Sequence, residues 1–158
     1  MKVTDHERFH IRTLDELRNK LGELGLSLPS SDNLPLLGRI LPLGRITLPN
    51  RFVVHPMEGF DSETDGAPGA LCFRRYTRYA RGGFGLIWME ATAVLHEARS
   101  NPCQLYIHDG NVGTYARLVE EVRKAARESL GHEIGIIIQL THSGRYSRPT
   151  GIPEPIIA

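Results

Sequence analysis

A strand followed by a loop and a helix recurs along the chain, and this recurrence constrains the fold more than any other feature. Apolar segments at residues 52–54, 84–93 and 135–140 have the continuity of buried strands. Amphipathic helices are predicted between them, one starting with Pro68 in its first turn and ending at residues 82–83, the other over residues 112–130. Because parallel strands need crossover connections, this order predicts an α/β fold with a helix-covered parallel sheet.

The first 35 residues follow a different pattern. Leucines at three- and four-residue spacing predict a short helix over residues 14–24, with Thr13 and Glu16 at capping-box spacing and Gly25 as its stop. A linker rich in Ser, Pro and Asn follows, and a hairpin around Gly44 is predicted from residues 36–43 and 45–48. The chain is therefore expected to divide into a helical extension, residues 1–35, and a main domain, residues 36–158.

Size and charge exclude several classes of protein. The 158 residues allow one domain and hardly two, at roughly 100–200 residues per domain. With 19 basic and 18 acidic side chains, nothing in the net charge indicates nucleic acid or an anionic membrane as a partner. Residues 1–10 lack the apolar core of a signal peptide, and no apolar stretch is long enough to span a bilayer. We therefore expect a cytoplasmic protein in which Cys72 and Cys103 are free thiols.

Polar side chains gather at the ends of the three predicted strands, where parallel α/β folds place their functional groups. Gln139 follows three isoleucines, so its amide suits either recognition of a heterocycle edge or satisfaction of neighbouring backbone groups. Glu90 suits either a general base or a carboxylate that braces a loop. His142 and Arg145 follow the third strand. His142 suits either a contact with the flavin or substrate or, more commonly for a lone histidine after a strand, a hydrogen-bonded structural residue. Arg145 suits either a ligand contact or a solvated loop.

Metal and nucleotide motifs do not match the sequence. The pair His96-Glu97 lacks the second histidine of a zinc helix, and neither cysteine has a nearby ligand in the sequence, so no metal site is predicted. The glycines at residues 82, 83 and 85 do not form a dinucleotide fingerprint, and there is no Walker loop. Rossmann and P-loop interpretations are therefore excluded.

Three segments at the strand ends are typical of one family: HPMEG at residues 55–59, IWMEATAV at 87–94 and QLTHSGRYS at 139–147. In order and spacing they resemble the old yellow enzyme family of FMN-dependent NADH:flavin oxidoreductases, which includes the 2,4-dienoyl-CoA reductases. The resemblance covers residues 36–147. It implies a TIM barrel with FMN over its carboxyl end, where hydride from NADH or NADPH passes through the flavin to an activated alkene such as an enone or dienoyl thioester.

Site residues follow from the same resemblance. His55, Pro56 and Met57 would lie beneath the flavin, Ala91 would offer a backbone contact, and Gln139 would bind the pyrimidine edge. The position of Glu58, also at the flavin, is a departure, since relatives commonly have Thr or Cys there.

Two side chains depart from the family pattern. An ionised Glu58 would disfavour an anionic reduced flavin, whereas a protonated Glu58 would donate a hydrogen bond. Phe60 stands where relatives place a substrate-side tyrosine, so it would keep the aromatic ring and lose the hydroxyl.

The length limits the function that these residues can support alone. A complete barrel takes about 250 residues, and the sequence predicts three of its eight strands. One hypothesis is the N-terminal part of a flavin oxidoreductase that acts on a small molecule, with the 158-residue chain incomplete for activity. The other is a catalytically inactive partial barrel, a binding or assembly module completed by a second copy or another chain. A reading frame that continues past Ala158 would discriminate between them.

Overall fold

The computed structural model describes residues 10–31 and 34–157. The opening nine residues, on which the absence of a signal-peptide pattern rested, lie outside the described residues, as do linker residues 32–33 and Ala158. The chain divides into two compact units, Met1–Pro35 and Leu36–Ala158. Within the described ranges, no helix combines the length and apolarity that a membrane crossing requires.

In the described part of the first unit, residues 10–31 and 34–35, there is one helix, α1, at Leu14–Glu23. Its capping box is formed as predicted, because Thr13 Oγ1 accepts from Glu16 N and Glu16 Oε2 accepts from Thr13 N, both at 3.2 Å. Gly25 follows with φ of +64°, and Leu26 N donates to Leu21 O at 2.8 Å. The predicted helix and its stop are confirmed.

The second unit opens with an antiparallel hairpin of β1, Leu41–Leu43, and β2, Ile46–Leu48, which turns at Gly44 with φ of +59°. The hairpin is confirmed, but its first strand is shorter than the predicted residues 36–43. Residues 35–38 form turns instead, because Leu36 O accepts from Arg39 N and Leu37 O accepts from Arg51 N. Those carbonyls are therefore committed to a loop.

A parallel sheet in the order β3-β4-β5 confirms the predicted α/β class. β3 is Val53–Val54, β4 is Leu86–Ala93 and β5 is Gly135–Thr141. The register pairs Val54 with Ile87 and Ile87 with Ile136.

The two crossover helices are α2, Ala70–Arg81, and α3, Val112–Leu130. The prediction that Pro68 occupies the first turn of α2 is wrong. Gly69 is the N-cap, and Pro68 lies in an isolated bridge with Ser62, closed by a hydrogen bond from Glu63 N to Ala67 O. α3 ends as predicted, at Gly131 with φ of +67°.

The apolar core lies between the helices and one face of the sheet. It is formed by Val54, Cys72, Tyr76, Ala80, Ile87, Met89, Leu105, Tyr115, Leu118, Val122, Ala125, Ala126 and Ile134. Ile136 and Ile138 pack against it from β5. Because strand side chains alternate, Trp88 is on the other face, where it is 40% exposed.

A β-bulge interrupts the pairing of β4 with β5. Met89 pairs with Ile138 and Ala91 pairs with Gln139, so Glu90 is the extra residue. As a result, Met89 and Glu90 both reach the helix layer: Met89 joins the core, and Glu90 contacts Tyr76 of α2. The bulge therefore directs a carboxylate into an otherwise apolar layer.

Candidate functional site

The carboxyl end of the sheet holds the residues that the sequence predicts for the site. Ala91 and Gln139 are direct partners in the register of β4 and β5. β3 runs into residues 55–58, where Met57 is 75% exposed. His55 is also exposed, whereas Pro56 is half-buried. The ends of three adjacent parallel strands thus present these residues together at the carboxyl end of the sheet.

The Gln139 side chain is held in a half-buried position at the end of β5. Among residues 10–31 and 34–157, no group forms a hydrogen bond with its amide. The amide therefore keeps both donors and its acceptor for a ligand. The alternative interpretation, a glutamine that satisfies neighbouring backbone groups, has no contact to support it in this part of the chain.

Glu58 is fixed by the loop that follows β4. Ser100 Oγ donates to Glu58 Oε2 at 3.3 Å, and Gln104 Nε2 donates to Glu58 Oε1 at 3.5 Å. Gln104 is 1% exposed, and its Nε2 also donates to Ala91 O at 3.3 Å. This one amide therefore links the carboxyl group after β3 to the backbone of β4.

Burial raises the pKa of Glu58 above its ordinary value. The hydrogen bond from Ser100 opposes this effect, and the nearby charge of Glu90 reinforces it. The net result is a carboxyl group that keeps its proton to higher pH than an ordinary glutamate does.

Glu90 is a brace rather than an accessible base, since its side chain is 1% exposed. Its Oε2 accepts from Gly59 N at 2.7 Å, and its Oε1 accepts from the Tyr76 hydroxyl at 3.0 Å. Tyr76 in turn accepts from Glu90 N at 2.9 Å. The structure thus favours the loop-bracing interpretation, and the braced loop is the segment that follows β3.

Arg75 of α2 supplies the positive charge for this cluster. Its guanidinium pairs with Glu90 and with Asp61, the latter with 3.0 Å between Nη2 and Oδ1. Burial lowers the pKa of Arg75, but the hydrogen bond to Asp61 and the charge of Glu90 outweigh it, so the net direction is upward. Arg75 therefore stays charged between two carboxylates.

Three members of this cluster have metal-ligand spacing. Potential ligand atoms of Asp61, Cys72 and Glu90 lie within 4.8 Å of one another. Arg75 already balances both carboxylates, and burial raises the pKa of the Cys72 thiol to about 12. A protonated thiol is a poor ligand, so the chemistry fits an arginine-centred ion cluster.

The substrate-side candidates differ in their contacts. Phe60 is 57% exposed. His142 Nδ1 accepts from Gly144 N at 3.0 Å, and Arg145 Nη2 donates to the Tyr146 hydroxyl at 3.1 Å. Both polar candidates therefore have partners within their own turn, which favours the solvated-loop interpretation for them.

Sequence reasoning missed the supporting residues Asp61, Arg75, Ser100 and Gln104. One of them had a usable signal: Arg75 lies three residues after Cys72 and one before Tyr76, which places an arginine beside two buried positions of a helix. The loop residues had none, because no periodicity connects a loop to the strand it touches.

Parallel strands with crossover helices, and polar groups at the strands' carboxyl ends, define the class of α/β proteins that bind a ligand at this edge. The profile of the NADH:flavin oxidoreductase / NADH oxidase family matches residues 40–154. The chain belongs to this family, whose cofactor is FMN.

Relatives and solved structures agree with this assignment. The NADPH dehydrogenase of Halalkalibacterium halodurans is 35% identical over 115 residues, which cover 72% of this chain and 31% of the relative. Morphinone reductase in complex with tetrahydroNAD is 30% identical, with a TM-score of 0.60, and the match covers 72% of this chain and 29% of that one. The old yellow enzyme from Trypanosoma cruzi is 30% identical with a TM-score of 0.59, over 72% of this chain and 28% of that one.

The chain thus spans about a third of the length of these relatives. Since the matching structures are TIM barrels, the sheet β3-β4-β5 with α2 and α3 is part of a (β/α)8 barrel, and the predicted partial barrel is confirmed.

Proposed function

We propose that the protein is an FMN-dependent oxidoreductase that takes hydride from NADH or NADPH and passes it through the flavin to an activated alkene, such as an enone or a dienoyl thioester. The observation that carries this proposal is the amide of Gln139, which has no partner in the described part of the chain and stands beside Ala91 at the carboxyl end of the sheet. FMN supplies the ability to accept and release hydride.

The residues at the carboxyl end of the sheet fit the flavin ring. A pyrimidine edge presents donors and acceptors side by side, and the Gln139 amide matches both. Met57 is the exposed apolar group after β3, suited to the face of a planar ring, with His55 and Pro56 before it. Ala91 offers backbone at the same level, because it is the register partner of Gln139.

Glu58 would control a proton at the same end of the sheet. Ser100 and Gln104 both donate to its carboxyl oxygens, so its position is fixed from the loop after β4. When protonated it can donate a hydrogen bond towards the flavin, and when ionised it would oppose electron gain by the flavin. Its raised pKa means that the protonated form persists to higher pH than in an ordinary glutamate.

Other parts of the proposal rest on the family. NADPH dehydrogenase relatives support a reduced nicotinamide as hydride donor and a small molecule as acceptor. Cys72 and Cys103 are both free, which suits a cytoplasmic location. We expect the polypeptide of residues 1–158 to supply ring-side contacts to FMN without competent turnover, and assays with FMN, NADH and cyclohexenone test this expectation.

A second candidate function is an assembly module that another chain completes. Within residues 34–157, the parallel sheet leaves one side of β3 and one side of β5 without a partner strand. Trp88 and Leu140 on the sheet are 40% and 59% exposed. Unpaired edges and apolar side chains favour association, so light scattering of the purified chain would show a stable oligomer if this function holds.

The test of the primary proposal is FMN titration by flavin fluorescence. Gln139→Met keeps the length of the side chain and removes its hydrogen bonds, so it should weaken FMN binding by about 1–3 kcal/mol. Leu140→Met, at the next position of β5, is the matched control and should leave the affinity unchanged. Equal affinities for the two variants would reject Gln139 as a flavin contact.

A further inference from the structure

Phe60 adopts a backbone conformation that its side chain disfavours. Its φ is +52°, and it is the one non-glycine residue with positive φ in the ranges 10–31 and 34–157. The left-handed region crowds Cβ against the following carbonyl oxygen. Since the Phe60 side chain is 57% exposed, burial offsets little of this cost. The neighbouring residues must therefore hold the turn.

Both neighbours of Phe60 are fixed by the same ion cluster. Before it, Gly59 N donates to Glu90 Oε2 at 2.7 Å. After it, Asp61 pairs with Arg75, and Arg75 pairs with Glu90 as well. The Arg75 guanidinium thus joins the carboxylate that accepts from Gly59 to the carboxylate of Asp61.

The backbone of Gly59 packs closely against the Arg75 guanidinium. A Cβ placed on Gly59 would overlap the terminal atoms of the Arg75 guanidinium. The side chains in the cluster are also well shielded, at 22% exposed for Arg75, 13% for Asp61 and 1% for Glu90. The backbone of the loop therefore lies directly against the buried charges.

We propose that Arg75 is a positioning residue: by pairing with Glu90 and Asp61 together, it imposes the left-handed turn at Phe60 and sets the backbone path of the preceding Met57 and Glu58. Arg75 needs no contact with a ligand for this role. Its effect on flavin binding rests on the proposed function, whereas its effect on the turn does not.

A thermodynamic cycle on the 158-residue chain tests the effect on the turn. Phe60→Gly and Phe60→Ala both remove the ring, but only glycine relieves the left-handed strain. In the wild-type background, the glycine variant should have a folding equilibrium constant about threefold to tenfold larger than the alanine variant in denaturant unfolding. In the Arg75→Lys background, a single ammonium group replaces the guanidinium that pairs with two carboxylates at once. The ratio of the folding equilibrium constants of the glycine and alanine variants should then fall to one or below.

Asp61→Asn provides a second background if Arg75→Lys does not fold, and it should lower the ratio in the same way. The same ratio in wild-type and variant backgrounds would overturn the inference, because residue 60 would then be left-handed without help from the cluster. A ratio of one in the wild-type background would overturn it as well, since there would be no imposed strain.

FMN titration provides the functional readout. Arg75→Lys should weaken FMN binding by about tenfold, which corresponds to about 1.4 kcal/mol. Leu118→Ala, a variant of the apolar core on α3, separates positioning from general destabilisation, and its FMN affinity should stay within about twofold of wild type when it is folded. Unchanged FMN affinity in Arg75→Lys would overturn the positioning role. A wild-type chain that does not bind FMN would contradict the proposed function, and the cycle at residue 60 would still be read by itself.

Discussion

The helix-facing layer of the sheet and its carboxyl end are stabilised by different forces. The layer between the sheet and its two helices is apolar, and residues such as Ile87, Leu118 and Ala126 are fully buried in it. The carboxyl end instead depends on ion pairs and hydrogen bonds that join loops to α2 and β4. The comparison teaches that apolar burial stabilises one part of this unit and polar pairing the other, and that ligand geometry depends on the second.

The largest effect is expected where the two regions meet, at Glu90. Glu90→Ala leaves the buried Arg75 with one partner and Gly59 N with none, so it should lower the free energy of unfolding by about 3–5 kcal/mol. Glu90→Gln is the control, because it keeps acceptor capacity for Gly59 and should cost less. Denaturant unfolding measures both, and a loss below about 1 kcal/mol for Glu90→Ala would contradict the bracing role.

A core substitution sharpens the comparison. Leu118→Ala removes a fully buried side chain of α3 and should lower the free energy of unfolding by about 2–5 kcal/mol. Its FMN affinity, measured on folded protein, should match wild type. A large loss of FMN affinity would show that the two regions are coupled and that their separation is wrong.

Tyr76 tests the contribution of one hydroxyl within the boundary. Tyr76→Phe removes a buried group that donates to Glu90 Oε1 and accepts from Glu90 N, so stability should fall by about 1–3 kcal/mol. Tyr79→Phe is the matched control, because Tyr79 is half-buried and lies one turn of helix α2 away, and it should change stability little. Similar losses for the two variants would argue against the Tyr76 contacts.

The smallest effect is a pH dependence at Glu58. Its raised pKa means that the folded chain holds a proton that the unfolded chain releases near the ordinary value of 4.5. This contribution to stability should therefore decline as pH rises from that value through the folded pKa.

Free energies of unfolding, measured from about pH 4 upward in steps of about one pH unit, test whether stability declines as pH rises. Glu58→Gln should lack the decline, whereas Glu121→Gln on the exposed surface of α3 should retain it. Parallel pH profiles for wild type and Glu58→Gln would contradict the burial of this carboxyl group.

The sequence predicted the apolar region better than the polar one. Periodicity located the helices over residues 112–130 and 14–24 and the strand over 135–140, because burial of one face determines where apolar side chains fall. Local turn chemistry was harder: Pro68 favoured a helix start, yet the bridge with Ser62 and the Gly69 cap moved it to Ala70.

The candidate site divides in the same way. The family resemblance implied that both Ala91 and Gln139 contact the flavin, and the register of β4 and β5 pairs the two residues. The contact between Arg75 and Glu90 could not be predicted, because the bulge that directs Glu90 into the helix layer has no signature in an apolar strand. Likewise, Gln104 reaches Glu58 across 46 residues of chain through loop geometry that follows no pattern.

The most direct test of the central claim is a titration of isotope-labelled chain with FMN, followed by NMR. The account predicts that the Ala91 backbone amide and the Gln139 side-chain amide shift strongly, while Gly85 and Gly135 at the opposite end of the same strands do not. Shifts confined to Gly85 and Gly135, or no shifts at saturating FMN, would contradict a flavin site at the carboxyl end of this sheet.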